Sequence, residues 1–378
     1  MRVSLDVSAV PASPAGAGRY TVELARALAA LDDPRLLLLS RRSDAERWRD
    51  LSRGRADVLA GPPSPRPLRI AWEQLVLPSV LRRARPDVHH GPHYTMPERS
   101  PVPVVVTIHD CTFFDHPEWH EPAKVRFFRR AIRVAARRAG ALVCVSETTA
   151  RDLAAVCTVT APVVIAPHGV DHRRFSAVAP SSGSDDVELE RLGIDPRGRF
   201  VLFLGTIEPR KDVATLVRAF SALAADERDV TLVLAGRRGW GTGPVDDAVA
   251  ASPFCDRIVC TGYVPDDGVP ALLRRAAVVA YPSLAEGYGL PALEALACGA
   301  PLVTTSGTAM AELAGEAATL VDPGDADGLA VALSQVLIAA GSAEAERRRA
   351  AGFARAAACT WGASAERHIE AYRIAANA

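Results

Sequence analysis

Lysine is almost absent from this 378-residue sequence: Lys124 and Lys211 stand against 42 arginines among the 44 basic residues. A high-GC coding sequence accounts for such a bias. It also makes a surviving lysine informative, because an ammonium is a compact point charge that a guanidinium does not imitate. Only two residues could form the Schiff base that a pyridoxal-phosphate enzyme requires. Paired cysteines are missing too. The seven cysteines are scattered, odd in number and never spaced C-x-x-C, which argues against disulfides and zinc. Reduced, mostly buried thiols in the cytoplasm are the expectation. No run approaches the roughly 18 to 20 apolar residues that span a bilayer. The start, Met1 to Val7, carries Asp6 where a signal peptide would be apolar, and reads as a first strand.

Net charge is lacking as well, but the zero hides an asymmetry. Residues 1–172 carry 24 Lys+Arg against 18 Asp+Glu (+6), and residues 173–378 carry 20 against 26 (−6). The basic half is the one suited to an anionic acceptor or a membrane surface; no nucleic-acid partner is expected. Hydrophobic content of 49% with 23% charged residues is ordinary for a water-exposed fold, and the length suits two domains.

What is present is organised around Tyr281–Pro301. Apolar runs at 277–280 and 302–305 have strand character. Between them, Gly287-Tyr288-Gly289 turns the backbone and exposes N–H groups, and Leu290-Pro291 opens a helix. A glycine loop entering a helix attracts anions. Glu286 in the loop and Glu294 one turn into the helix suit hydroxyl groups, as a sugar or ribose offers. A plain βαβ crossover with two solvated glutamates has the same spacing.

The rest of the chain alternates strand runs (3–7, 36–39, 102–108, 142–145, 163–165) with helical patterns such as Tyr20–Leu31, which predicts parallel, doubly wound sheets. The turn containing Gly16 and Gly18 lacks the third glycine of a dinucleotide fingerprint, since Thr21 stands in its place. His109 and Asp110 follow the strand ending at Ile108, where open α/β sheets bind ligands. His89, His90 and His93 read as a Pro/Gly loop rather than a metal site, with His93 and Tyr94 on the acceptor side. Lys124–Arg138 holds seven basic residues and no acid. Val125, Phe128, Ile132 and Ala135 fall on one helical face, and Arg126, Arg130, Arg133 and Arg137 on another. That is either a solvated helix or a face for anionic lipid. In the second half, a strand through Leu204 runs into Gly205-Thr206-Ile207-Glu208-Pro209-Arg210-Lys211, with Asp212 as a helix N-cap. Asp325-x-Asp327 is the one D-x-D pattern and reads as helix capping.

The run Glu286-x7-Glu294 with Gly287 to Pro291 inside it, together with Gly205-x-x-Glu208-Pro209-Arg210-Lys211, resembles the donor-site motifs of glycosyltransferase family 4. The resemblance covers essentially the whole chain. It implies the GT-B architecture: two Rossmann-like domains facing a donor cleft, with a C-terminal helix crossing back. The expected parts are 1–172 on the acceptor side, a linker 173–190, a nucleotide-sugar domain 191–355 and the returning helix 356–378, anchored by Trp361. It further implies a retaining hexosyltransferase acting by front-face transfer. With no metal constellation in the sequence, an enzyme without cofactor or metal is expected, in the cytoplasm or at the inner side of the membrane.

In that resemblance His109, Glu286, Lys211 and Arg210 are catalytic. Gly16, Gly18, Gly205, Thr206, Tyr263, Val264, Gly287, Tyr288, Gly289, Leu290 and Glu294 bind the donor, and His93, Tyr94 and Asp110 face the acceptor. Many members have arginine where Thr206 stands, so Arg210 is the candidate to replace it. GDP-mannose is the first donor expected, with UDP- or TDP-sugars as alternatives. The acceptor would be a glycan, a glycolipid or a small molecule. An inactive binding subunit, an epimerase and a phosphorylase are the rival readings.

Overall fold

The computed structural model describes residues 1–378. They form two compact units: Met1–Gly169 with Thr360–Ala378, and Val170–Cys359. Each unit is built on one all-parallel sheet. In the first, β1 (Arg2–Asp6), β2 (Arg35–Ser40), β3 (Asp57–Ala60), β4 (Val88–Gly91), β5 (Val104–Ile108), β6 (Ala141–Cys144) and β7 (Val163–Ile165) lie in the order β3-β2-β1-β4-β5-β6-β7. In the second, β8 (Arg199–Leu204), β9 (Val230–Ala235), β10 (Ile258–Gly262), β11 (Val278–Tyr281), β12 (Leu302–Thr305) and β13 (Ala318–Val321) lie in the order β10-β9-β8-β11-β12-β13. Helices cover both faces, so the central strands are apolar without alternation. Every residue of β5, β6, β11 and β12 is buried.

The strand order reverses between β1 and β4 in one sheet, and between β8 and β11 in the other. At such points the loops leaving two neighbouring strands diverge and open a crevice at the strand ends. Residues 205–212 and 282–289, far apart in sequence, therefore leave adjacent strands.

Three features differ from the sequence expectation. Strands β3 and β13 are short edge elements of mixed burial, too weakly patterned to stand out. His89 and His90 belong to β4 rather than to a loop, because their rings have partners: Ser4 Oγ at 2.9 Å for His89 Nδ1, and Thr107 Oγ1 at 2.8 Å for His90 Nε2. The segment expected as a linker, 173–190, belongs to the second unit and runs into the helix Ser184–Arg191. Asp185 of that helix holds Arg274 at 2.5 Å, with both side chains nearly sequestered.

The helix Trp361–Ala376 packs within the first unit, where Ala365, Ala371, Tyr372 and Ala375 join the core of Tyr20, Leu24 and Leu28. Tyr20 Oη meets His368 Nε2 at 2.8 Å, and Tyr372 Oη meets His90 Nδ1 at 2.9 Å. Gly169, at the edge of the unit, lies under this helix. A Cβ there would sit 2.1 Å from the backbone nitrogen of Trp361. The helix Pro122–Arg138 buries Val125, Ile132 and Ala135 and exposes Arg126, Arg130, Arg133 and Arg137. No single helix is long and apolar enough to cross a membrane.

Candidate functional site

In the second unit the switch between β8 and β11 brings Lys211 and Glu286 into contact across 75 positions of sequence. Lys211 Nζ donates to Glu286 Oε1, and Arg210 Nη1 lies 2.5 Å from Glu286 Oε2. Arg210 Nη1 also donates to the Ala285 carbonyl at 3.1 Å, and on the other side Nη2 donates to Glu208 Oε1 at 2.7 Å. Lys211 is only 7% exposed. Burial opposes ionisation of Glu286, but the charges of Arg210 and Lys211 outweigh it and hold the carboxyl at about 2. Burial likewise draws the Lys211 ammonium below its ordinary value, and Glu286 offsets part of that. A buried ammonium, guanidinium and two carboxylates thus neutralise one another at the strand ends.

Two helices start beside this cluster. Val213–Asp226 begins after Asp212, which adopts the left-handed conformation (φ 44°) and makes no side-chain cap, contrary to the N-cap expectation. Leu290–Ala297 begins after Gly289, whose φ of 100° and whose approach to Met310 leave no room for a side chain. Gly287 lies half-buried in the loop before it, and Leu290 is the first helical residue. Glu294 is buried one turn into this helix.

Some residues expected at the donor are turned elsewhere. The Tyr288 ring is 6% exposed, and its hydroxyl lies against Cys359, so the side chain packs in the core and only the backbone is left for a donor contact. Val264 is buried at 4% exposure, which leaves its backbone for a base contact. Tyr263 is 52% exposed, with the Arg237 guanidinium 4.2 Å from its ring centroid, a stacked pair at the edge of the sheet. Gly205 and the exposed Thr206 lie at the end of β8.

In the first unit, His109 Nε2 donates to the Pro92 carbonyl at 2.7 Å. Because that oxygen only accepts, Nε2 carries the proton and Nδ1 keeps its lone pair. Burial depresses the ring's basicity, so it is neutral near pH 7 despite the opposing effects of Pro92 and Asp110. His109 sits among Tyr20, His93 and Tyr94, with ring centroids 5.0, 5.6 and 5.5 Å away. His93 Nε2 meets Thr21 Oγ1 at 3.3 Å, and burial lowers its pKa to about 3. Asp110 Oδ1 accepts from Thr112 N and Oγ1 at 3.2 and 2.8 Å, which braces the turn after β5. Gly16 precedes the helix Ala17–Ala29 with φ 47°, while Gly18 is buried beneath Pro11 and Pro14 and offers no surface to a ligand. No three His, Cys, Asp or Glu side chains gather closely enough to hold a metal ion. Asp325 accepts from Gly328 N at 2.9 Å, the capping role its pattern implied.

Two groups escaped the sequence reading. Glu208 stands two residues before the arginine it orients, inside a motif already singled out. Asp6, Arg69 and Glu73 surround a cavity at the β1/β4 switch, and only the i, i+4 spacing of Arg69 and Glu73 hinted at them.

Residues 14–174 match the family model described as Glycosyltransferase Family 4, and residues 198–338 match that described as Glycosyl transferases group 1. The O-antigen chain mannosyltransferase B of Escherichia coli is 28% identical over 309 residues, spanning 82% of this chain and 78% of that protein. The MMP alpha-(1->4)-mannosyltransferase of Mycolicibacterium hassiacum is 30% identical over 62% of this chain, a match that spans 56% of its own length. Among solved structures, Anabaena Alr3699/HepE in complex with UDP-glucose has the same fold, with a TM-score of 0.73 over 98% of both chains at 17% identity. The chain belongs to glycosyltransferase family 4, with the GT-B fold. It is an enzyme of the hexosyltransferase class.

Proposed function

We propose that the chain transfers a hexose, mannose from GDP-mannose in the first instance, from a nucleoside diphosphate sugar to a hydroxyl of a glycan, glycolipid or small-molecule acceptor. The transfer retains the anomeric configuration and uses no metal ion. The observation that carries this reading is the pairing of Lys211 and Arg210 with Glu286 at the β8/β11 switch, beside two helix starts. Two mannosyltransferases among the relatives favour mannose.

A donor diphosphate takes over the hydrogen bonds of Lys211 and Arg210 and thereby frees the Glu286 oxygens to accept from sugar hydroxyls. Those cations and the helix N-termini stabilise charge that grows on the leaving phosphate as the bond breaks. Arg210, steadied by Glu208, supplies the positive charge that Thr206 does not. In the first unit, the bare Nδ1 of His109 accepts from a sugar hydroxyl. The acceptor oxygen bonds to the anomeric carbon on the face that the phosphate oxygen leaves, and the acceptor proton passes to that oxygen. No covalent nucleophile takes part.

The test is NMR of the glycoside formed from GDP-mannose and an acceptor panel, with and without EDTA. An α product from the α donor, at an unchanged rate in EDTA, is expected. A β product, or turnover abolished by EDTA, would overturn the mechanism. A chain that neither transfers nor hydrolyses any nucleotide sugar is instead a binding subunit. We also propose that the exposed basic face of Pro122–Arg138 rests on anionic lipid.

A further inference from the structure

The first unit holds a cavity of about 90 Å³ at the β1/β4 switch point, separate from every residue the donor reading uses. Its polar walls are Asp6 at the end of β1, Arg69 and Glu73 one turn apart on the helix Arg66–Leu75, and Thr95. Phe127 and Phe128 supply an apolar side. Glu73 is only 9% exposed and accepts from Thr95 Oγ1 at 3.0 Å. The Asp6 carboxylate is tied on one oxygen to Ser8 N at 2.8 Å. Pro92 and His93 also line the cavity, and Pro92 is the residue whose carbonyl holds His109 at 2.7 Å. Whatever occupies the cavity therefore lies one residue from the group assigned to the transferred sugar.

The size and lining restrict the occupant. Whole-ligand pockets begin at ~300 Å³, so this cavity takes one edge of a ligand. An anion would face the Asp6 carboxylate as well as Arg69 and Arg66, and an ammonium would face both arginines. Uncharged hydroxyls suit the mixture: carboxylate oxygens accept from them, a guanidinium donates to them, and the phenylalanines pack against C–H faces of a ring. Burial, reinforced by Asp6, raises Glu73 to about 8, which makes it a neutral acid able both to donate and to accept.

Resting on the glycosyl-transfer reading, we propose that this cavity seats the acceptor, and that the acceptor enters it with the uncharged, polyhydroxylated edge of a sugar or cyclitol held by Asp6, Arg69 and Glu73. These residues belong to the first unit and the donor cluster to the second, so acceptor and donor affinity can be tested separately.

The experiment is ligand-observed NMR on the full chain with methyl α-mannoside and myo-inositol as neutral probes, and mannose 6-phosphate and glucosamine as charged ones. GDP, UDP, TDP and ADP thermal shifts run in parallel. At least one neutral probe is expected to bind, about tenfold or more weaker in Arg69→Ala and Glu73→Leu. Glu73→Gln, which keeps volume and neutrality, should stay near wild type and guards against misfolding of the leucine variant. Nucleotide shifts should be the same in all variants. Tighter binding of either charged probe, neutral binding indifferent to the variants, or no neutral binding at all would overturn the proposal. Loss of every nucleotide shift with neutral binding intact would sink the glycosyl-transfer reading and leave the cavity assignment standing.

Discussion

Lys211 is one of two lysines in a chain that otherwise uses arginine, and it is the one the fold encloses. A guanidinium in its place would have to fit five donors where one Glu286 oxygen waits. Lys211→Ala removes a charge from the leaving group and leaves Glu286 with Arg210 alone. The loss in kcat/KM should be about 30- to 1000-fold, or 2–4 kcal/mol. Steady-state kinetics at wild-type rates would refute its role. Glu286 carries a pH signature. Its folded pKa of about 2 lies below the ordinary 4.5, so the ionised carboxylate contributes stability above pH 4.5, and this is lost as pH falls toward 2. Thermal melts should show Tm falling through that window, with a shallower fall in Glu286→Gln; parallel slopes would contradict the pairing.

At the scale of elements, the spacing of apolar and basic residues predicted the helix over 124–138, and its buried and exposed faces follow that spacing. The exposed arginines should carry the chain down with anionic vesicles at low salt and release it at high salt; no co-sedimentation at low salt removes the lipid proposal. The closing helix Trp361–Ala376 depends on a glycine that no periodicity could flag. Gly169→Ala puts a methyl group into the backbone at Trp361, where neither chain has a flexible end to yield. A loss of about 2 kcal/mol or more in urea unfolding is expected, and an unchanged midpoint would show that the crossing is looser than its geometry. The edge strands β3 and β13 were illegible for the opposite reason, since their pairing rests on neighbours rather than on their own pattern.

At the scale of the whole chain, the family is carried by two matched segments that between them leave out only the ends and the crossing region. Donor identity is a property of the folded protein as a whole, because a nucleotide that binds only the native state raises its stability by about 2.7 kcal/mol at a hundredfold excess over Kd. GDP should therefore shift Tm more than UDP, TDP or ADP at equal concentration; a larger UDP or TDP shift would replace GDP-mannose as the donor.

The sequence alone determined the alternation of strands, glycine loops and helices, because strands buried on both faces must be continuously apolar and tight loops into helices need glycine and proline. It also placed Lys211, Glu286 and His109 at strand ends. The tertiary structure decided which atoms were committed to what. It gave Glu286 to Lys211 and Arg210, turned Tyr288 into the core and Asp110 toward Thr112, and spent His109 Nε2 on Pro92. It also assembled Asp6, Arg69 and Glu73 around one cavity. These choices follow from strand order and packing across tens of residues, and local spacing carries no record of either.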